Sequence, residues 1–331
     1  MEHPLNRRAL LQLCAGVSLT AFLSRGAEAQ PGYPDHIVKL IVPRPSGGVV
    51  DIIARAWSEK VGKTLGATYI ENMGGGGGTI GAVAAARAPA DGYTLFFGTT
   101  SEMVLSPILT RQSYDPIAGF EPIAIICDSV AAIVVNPSVP AANLNELVAY
   151  AQKNRGIVNY GSAGVGTVSN LAGELFKRLA DLPDITHIPY KGGGQAMSDL
   201  IGGQVPIATP MMSESIVELH RHGQIRIVAV ASERRLAAMP DIATAAEQGF
   251  PELVARLFVG LFAPAKTPRP ILAKVEDATQ MALQDPALQA SFAAGGFERL
   301  TNSDAASAAD YLKKDIARWK PLLEQLSLNR Q

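Results

Sequence analysis

Residues 37–48 read Ile-Val-Lys-Leu-Ile-Val-Pro-Arg-Pro-Ser-Gly-Gly, and this stretch predicts a strand, a glycine loop and the start of a helix. Ile37 to Val42 are apolar apart from Lys39 and rich in β-branched residues, as is typical of a buried strand. Pro43 to Gly48 predict a loop, because proline and glycine both interrupt regular structure. The apolar residues that follow recur with helical spacing, and they are Ile52, Ile53, Ala56, Trp57 and Val61.

The same unit recurs along the chain. Tyr93 to Phe97 leads into Gly98 to Ser101, and Ile157 to Tyr160 leads into Gly161 to Gly166 and a helix. Strands that alternate with helices predict parallel sheets covered on both faces, and hence an α/β fold. The other predicted strands are Thr68 to Glu71, Ile185 to Ile188, Val205 to Thr209 and Ile225 to Val230.

Two longer apolar segments favour two domains over one continuous sheet. Ile123 to Val135 lies midway along the chain, and Leu257 to Ala263 lies where the second group of strand and helix units ends. Segments of this length can carry the chain from one domain into another and back. We therefore predict that residues 30–130 plus 255–331 form domain one and that residues 131–254 form domain two. The stretch after Pro264 predicts helices that return to domain one.

The first 29 residues have the three parts of an export signal. Arg7 and Arg8 precede an apolar run from Ala9 to Leu23, and the small-residue triplet Ala27-Glu28-Ala29 predicts cleavage before Gln30. The run is shorter than the ~20 residues of a membrane-spanning helix. We expect an exported, periplasmic protein, with either the general secretory or the twin-arginine route open.

Composition and isolated motifs argue against several classes of protein. The formal net charge of -1, without a dense basic block after the signal, argues against nucleic-acid binding. Loss of Cys14 with the signal leaves Cys127 alone, so no intramolecular disulfide is expected. Ser162 does not sit in a Gly-x-Ser-x-Gly motif, and the spacing of His220 and His222 does not suit a zinc pair. We predict that the protein is not an enzyme and holds no metal or cofactor.

Two glycine loops are the best candidates for a ligand site. Pro45-Ser46-Gly47-Gly48 and the loop from Ser162 to Thr167 each precede a helix, whose free N–H groups and dipole favour an anion. The loops fall in different predicted domains and could face each other across a cleft. Asp51 stands in the first helical turn, where it could cap the helix or orient the loop around a ligand. The alternative interpretation is that the glycines only permit tight turns.

A rival signal is Gly76-Gly77-Gly78-Thr79-Ile80-Gly81, which matches the dinucleotide fingerprint G-x-G-x-x-G. It would indicate an exported dinucleotide-dependent oxidoreductase. The match is weakened by the surrounding run of five glycines and by the polar end, Glu71-Asn72, of the preceding strand.

Several segments, spread over nearly all of the chain after the signal, together match one family's pattern in its order. They are residues 33–43, the loop at 45–48 with Asp51, Glu71-Asn72 with the following glycines, and residues 90–95, 114–116, 159–166, 171–176 and 187–192. Together they resemble the periplasmic solute receptors of tripartite tricarboxylate transporters, the Bug-type receptors. The resemblance implies a two-domain fold of the type II periplasmic-binding-protein kind with a ligand cleft between the lobes, and no catalysis.

The resemblance also implies a function and a set of site residues. The receptor would capture a small organic carboxylate by hinge closure and deliver it, as a monomer, to the membrane subunits of the transporter. A sensor that signals to a membrane kinase would need the same cleft and stays an alternative. Arg44 departs from the family's aromatic or small residue, and whether it enters the cleft is left open. The expected ligand-binding residues are Arg44, Ser46, Gly47, Gly48, Asp51, Thr99, Thr100, Ser162, Ala163, Gly164, Thr167, Tyr190 and Met212, with Lys191 and Met211 nearby.

Overall fold

The computed structural model describes residues 32–298 and 303–328, and it contains two β-sheets of five strands each. We call the part of the chain built on each sheet a lobe. The expected export signal, residues 1–29, lies outside the described residues. None of the described helices is both long enough and apolar enough to cross a membrane.

The first sheet draws its strands from both ends of the described chain. Its spatial order is β2-β1-β3-β10-β4, in which β1 pairs in parallel with β2 and β3, whereas β10 is antiparallel to β3 and β4. β10, the last of these strands in the sequence, therefore lies inside the sheet and not at its edge. The strands are β1 (Val38–Val42), β2 (Thr68–Asn72), β3 (Thr94–Thr99), β4 (Phe120–Val130) and β10 (Arg256–Pro264).

Six of the described α-helices belong to the first lobe, together with two short turns of other kinds. A 3₁₀ turn at Gly76–Gly78 precedes the second helix, and a π-helical turn at Ser101–Leu105 precedes the third. The predicted helical return after Pro264 is present. The helices are α1 (Val49–Leu65), α2 (Thr79–Ala86), α3 (Ser106–Leu109), α8 (Arg269–Leu283), α9 (Pro286–Ala294) and α10 (Ala305–Leu328).

The second lobe is one continuous stretch of the chain. Its sheet has the order β7-β6-β8-β5-β9, with β5 antiparallel to both of its neighbours. The strands are β5 (Ala132–Val135), β6 (Asn159–Ser162), β7 (Thr186–Pro189), β8 (Ile207–Ala208) and β9 (Arg226–Val230). The helices are α4 (Leu144–Lys153), α5 (Val168–Leu179), α6 (Gly193–Ile201) and α7 (Glu214–Arg221), with a 3₁₀ turn at Ala246–Gln248.

The expectation of parallel sheets is wrong for one strand of each sheet. β5 arrives from the first lobe and β10 from the second, and each enters the middle of its new sheet antiparallel to its neighbours. These are the two long apolar segments predicted to cross between domains. An apolar run indicates a buried strand but carries no information on its direction, so the sequence pattern could not show the reversal.

A glycine pair makes room for an aromatic ring in the first sheet. Gly260 on β10 lies opposite Gly98 on β3. A Cβ at either position would come within 2.8 Å of the Phe262 ring. Phe262 in turn contacts Phe120 edge-on, with ring centroids 6.3 Å apart. The glycine that interrupts the apolar run of β10 therefore serves packing.

Gly173 in α5 provides a sharp test of packing in the second lobe. A Cβ there would lie 2.1 Å from the ring of Tyr160, which is held by hydrogen bonds with Glu174 (2.7 Å) and Asn170 (2.9 Å). We expect Gly173→Ala to lower the free energy of unfolding by about 1–3 kcal/mol through overpacking. Urea unfolding of the chain from Gln30 onward measures this change.

Gly62 is the matched control, because it lies inside α1 and a Cβ there would meet nothing within 4 Å. Gly62→Ala should raise the free energy of unfolding by about 0.5–1 kcal/mol, as expected for a helix interior. Equal effects of the two alanines would contradict a tight contact between Gly173 and Tyr160.

Candidate functional site

A cavity of about 390 Å³ lies between the lobes and is lined by both. The first lobe contributes Arg44 to Val50, Ile52, Ser101 and Leu257. The second lobe contributes Ala163, Thr167 to Ser169, Gly192 to Gln195, Met197, Ser198, Pro210, Met211, Ser213, Ser215, Ile216 and Leu219.

Asp51 holds the first glycine loop in place from behind. Its carboxylate accepts hydrogen bonds from the Gly47 amide (2.9 Å), Arg55 Nε (2.8 Å) and Asn72 Nδ2 (2.9 Å). Burial opposes ionisation of Asp51, but these three donors outweigh it and lower the pKa below its ordinary value. Asp51 is 2% exposed and does not line the cavity, so it organises the loop.

The N-terminus of α1 opens on the cavity without a side-chain cap. Gly48, the N-cap residue, has extended backbone and no side chain to accept from the first-turn amides. Gly47 has φ +80°, a conformation that favours glycine. The first amides of a helix lack partners within the helix, and the helix dipole makes this end partly positive. The residues from Gly47 to Val50 line the cavity, so this end can attract an anion.

A second uncapped helix N-terminus, that of α6, lines the same cavity from the other lobe. Its N-cap is Gly192, which has extended backbone and no side-chain cap. A Cβ at Gly193 or Gly194 would meet nothing within 4 Å, so the space in front of this helix end is open. Our sequence prediction missed these residues, although strand β7, the glycines and α6 follow the same strand, loop and helix pattern.

The two uncapped helix ends lie close together. A Cβ at Gly192 would be 3.1 Å from Pro45 Cδ, and Pro45 stands three residues before the N-cap of α1. The lobes also meet where the Val168 amide donates to Ser101 Oγ (3.4 Å). One anion can therefore interact with helix ends from both lobes.

The other two helices that begin at the cavity are capped by their own side chains. Thr167 Oγ1 accepts from the Asn170 amide (3.1 Å) at the start of α5, and Ser213 Oγ accepts from the Ile216 amide (3.4 Å) at the start of α7. A capping side chain already accepts a hydrogen bond from a first-turn amide, which is then not available to an anion. The electrostatic preference of the cavity therefore rests mainly on α1 and α6.

The second predicted loop, from Ser162 to Thr167, is largely bonded to its own residues. The Ala163 amide donates to Ser169 Oγ (3.1 Å), and the Gly164 amide donates to Ser162 Oγ (3.1 Å). Ser162 Oγ also lies 2.7 Å from His187 Nε2. Ala163 and Thr167 line the cavity as expected, whereas Ser162 and Gly164 lie behind it and shape the loop.

Arg44 lines the cavity, and its charge is paired within the first lobe. Nη2 donates to Glu102 Oε2 (3.0 Å) and Nη1 donates to the Pro43 carbonyl (2.7 Å). Glu102 is fully buried and also accepts from the Thr99 amide (2.5 Å) and Thr99 Oγ1 (2.9 Å). The partner of Arg44 was not foreseen, because it lies 58 positions away in sequence.

The remaining predicted site residues lie outside the lining. Thr99 binds Glu102, and Thr100 Oγ1 accepts from the Phe258 amide (2.9 Å). The Tyr190 hydroxyl donates a hydrogen bond to Asp199 Oδ2 (2.6 Å), and Met212 is fully buried in the core of the second lobe. Their neighbours Ser101 and Met211 face the cavity instead. Direct contact of these four predicted residues with a ligand stays a prediction.

The rest of the wall is mostly apolar. Among the described residues that line the cavity, Arg44 carries the only formal charge. The polar groups are mainly serine hydroxyls and backbone amides. The apolar side chains that line the cavity are Val49, Val50, Ile52, Val168, Met197, Met211, Ile216, Leu219 and Leu257. Such a wall suits a ligand that has an apolar body and an anionic group.

The glycines of the Gly76 to Gly81 fingerprint make close contacts within the protein. A Cβ at Gly78 would lie 2.1 Å from Arg44 Nη1, and one at Gly76 would lie 2.5 Å from Thr79 Oγ1. A Cβ at Gly81 would lie 3.0 Å from Pro43 Cα. These contacts account for the glycines at all three positions without a dinucleotide.

Comparison with known proteins gives consistent results. Residues 53–328 match the family described as the tripartite tricarboxylate transporter family receptor. The solved periplasmic binding protein BugD is 32% identical, with a TM-score of 0.84 over 88% of this chain and 98% of BugD. MatC from Rhodopseudomonas palustris, solved with malate, is 30% identical, with a TM-score of 0.83 over 87% of this chain and 99% of MatC. Rpa4515 from R. palustris, solved with adipate, is 28% identical, with a TM-score of 0.84 over 88% of this chain and 98% of Rpa4515. The predicted two-domain fold of the periplasmic-binding-protein kind is confirmed.

Proposed function

Since this chain belongs to the tripartite tricarboxylate transporter family of receptors, we propose that it captures a small organic carboxylate by hinge closure and delivers it to membrane subunits of such a transporter. The observation that carries this proposal is the pair of uncapped helix N-termini, from opposite lobes, that meet at one cavity. A carboxylate placed there interacts with both lobes at once. Because those contacts are complete only when the lobes are together, the ligand favours the closed state.

The composition of the cavity supports a carboxylate with an apolar remainder. Each helix end contributes about 0.3–1 kcal/mol to binding a negative group, and more where water is excluded. The apolar wall adds roughly 25 cal/mol for each Å² of apolar surface buried. MatC and Rpa4515, two relatives of similar fold, were solved with malate and adipate. We assign ligand contacts to Ser46, Gly47, Gly48, Ala163 and Thr167, and we add Gly192 to Gly194.

We propose that residues 30–130 plus 255–331 move as one rigid domain and residues 131–254 as the other. The chain crosses between them where β4 passes into β5 and where β10 begins. Close to these crossings, Arg256 Nη2 donates to Glu298 (2.6 Å) and Nη1 donates to Glu233 (3.0 Å) in the loop after β9. The bond to Glu233 joins the lobes near the hinge, so we expect opening to occur at the glycine loops.

We further propose that the protein works in the periplasm, as a monomer without a cofactor or a catalytic role. The sequence pattern of residues 1–29 supports export, and BugD, a relative of the same fold, is a periplasmic binding protein. An exported receptor can bind its ligand before the ligand reaches the membrane, as capture followed by delivery requires.

A thermal-shift screen of the chain from Gln30 onward tests the proposal. The panel contains aliphatic and aromatic mono-, di- and tricarboxylates. It also contains NAD, which tests the alternative that the protein is a dinucleotide-dependent oxidoreductase. A ligand at a hundredfold its Kd should add about 2.7 kcal/mol of stability. Stabilisation by at least one organic acid and not by NAD is the expected result. If NAD stabilises the protein and no acid does, the receptor proposal is wrong.

A further inference from the structure

The cavity wall also contains an ion pair between Arg44 and Glu102. Neither the apolar side chains of the wall nor the helix N-termini account for this pair. Arg44 is 9% exposed and lines the cavity, whereas the Glu102 side chain is fully buried behind it, 3.0 Å away. The guanidinium packs directly against Gly78, where even a Cβ would come within 2.1 Å of Nη1. The pair is therefore held in a fixed place by the surrounding backbone.

Glu102 is arranged to stay ionised. Oε1 accepts from the Thr99 amide, and Oε2 accepts from Arg44 Nη2 and from Thr99 Oγ1. Burial raises the pKa of Glu102, while Arg44 and the Thr99 donors oppose the rise. Because both oxygens face N–H donors, a proton on either would displace one of these bonds. The geometry fits a carboxylate that balances the charge of Arg44.

Because Glu102 balances its charge, Arg44 can donate hydrogen bonds to a ligand but supplies no unpaired positive charge. Two of its N–H groups donate to Glu102 and to the Pro43 carbonyl. The remaining N–H groups have no partner among the described residues and can still bond an oxygen. A second carboxylate in the cavity would lose its hydration without gaining an unpaired positive charge, which is unfavourable. An uncharged hydroxyl, keto or amide oxygen avoids that penalty.

We propose that Glu102 is a specificity-determining residue, which limits the cavity to acids with a single negative charge by neutralising Arg44. The ligand class is then a monocarboxylate with an apolar body, whose other polar atoms are uncharged. This inference rests on the proposed carboxylate-binding function and selects a subclass of its ligands.

Matched pairs of acids test the inference at about pH 8, well above the ordinary pKa of a carboxylic acid. The probes are hexanoate with adipate, butanoate with succinate, and benzoate with terephthalate, each titrated calorimetrically. For a pair that binds, we expect the wild type to bind the monoanion about tenfold tighter or more than the dianion. Glu102→Gln frees the charge of Arg44 and should shift this ratio at least tenfold towards the dianion.

The double variant Arg44→Gln with Glu102→Gln removes both charges while keeping similar shapes. It should return the monoanion-to-dianion ratio to within about threefold of the wild type, because the net charge of the wall is again zero. If Glu102→Gln does not fold, the wild type still tests the inference, because a preference for dianions would overturn it.

The outcomes separate this inference from the proposed function. A wild type that prefers dianions, or a ratio that Glu102→Gln leaves unchanged, overturns the role of Glu102 while the receptor function stands. Failure of every acid to bind the wild type and both variants overturns the proposed function and this inference with it.

Discussion

Gly193→Asp is expected to weaken carboxylate binding at least about a hundredfold while leaving the protein folded. Gly193 is the first residue of α6, and a Cβ there would meet nothing within 4 Å, so the side chain fits the cavity. Its carboxylate would occupy the helix end that we assign to the ligand. Repulsion between two carboxylates about 4 Å apart is roughly 1–4 kcal/mol near a protein surface, in addition to the lost helix-end interaction.

The same substitution should stabilise the protein in the absence of ligand. An aspartate in the first turn of a helix adds about 0.3–1 kcal/mol through its interaction with the helix dipole. Stability and binding therefore change in opposite directions, which a merely disruptive substitution cannot produce. The measurements are the melting temperature without ligand and the shift produced by the acid that stabilises the wild type most.

Gly193→Asn is the matched control for charge. Asparagine has nearly the same shape and can cap the helix, but it carries no charge to repel the ligand. We expect it to weaken binding less than about tenfold. Equal losses for Asp and Asn would indicate that bulk matters at this position, and would count against the helix end as the carboxylate site.

A disulfide between positions 45 and 192 is expected to lock the lobes together. A Cβ at Gly192 would lie 3.9 Å from Pro45 Cβ, within the ~3.5–4.5 Å that a disulfide requires. In the double variant Pro45→Cys with Gly192→Cys, oxidation should slow ligand exchange by at least about a hundredfold, because exchange needs the lobes to separate.

The experiment loads the double variant with its best-stabilising acid, oxidises it, and follows retention of the acid through dialysis by mass spectrometry. Reduction with dithiothreitol should release the acid, so the reduced sample of the same protein is the control. Cys127, the other cysteine after the predicted cleavage site, is buried and should not interfere. Equally fast exchange in the oxidised and reduced forms would show that entry does not require hinge opening.

Local backbone requirements explain which parts of the site could be predicted. Gly47 and Gly164 have φ of +80° and +119°, which glycine tolerates and other residues rarely adopt. The loops they form were therefore visible in the sequence as glycines between a strand and a helix. The predicted short strands are likewise present within two residues of their expected bounds, because alternation of apolar runs with loops is also local.

The missing parts depend on residues far apart in sequence. Glu102, the partner of Arg44, lies on a π-helical turn that no local pattern predicts. Pairing of Arg44 with that carboxylate changes it from a candidate anion ligand into half of a neutral pair. The apolar wall from Met197, Met211 and Ile216 is formed only when three separate elements come together. Gly192 to Gly194, by contrast, were available to the same argument that found the other loops.

The position of β10 also bears on the order in which the chain acquires its structure. Residues 132–230 supply every strand of the second sheet, so that lobe can form from one continuous piece of chain. The first sheet cannot close until residues 256–264 have been synthesised and inserted between β3 and β4. Until then the edges of β3 and β4 that β10 will cover are unpaired, and such edges are prone to pair with other chains. We therefore expect the second lobe to mature early, and the first to depend on protection of those edges until the last strand arrives.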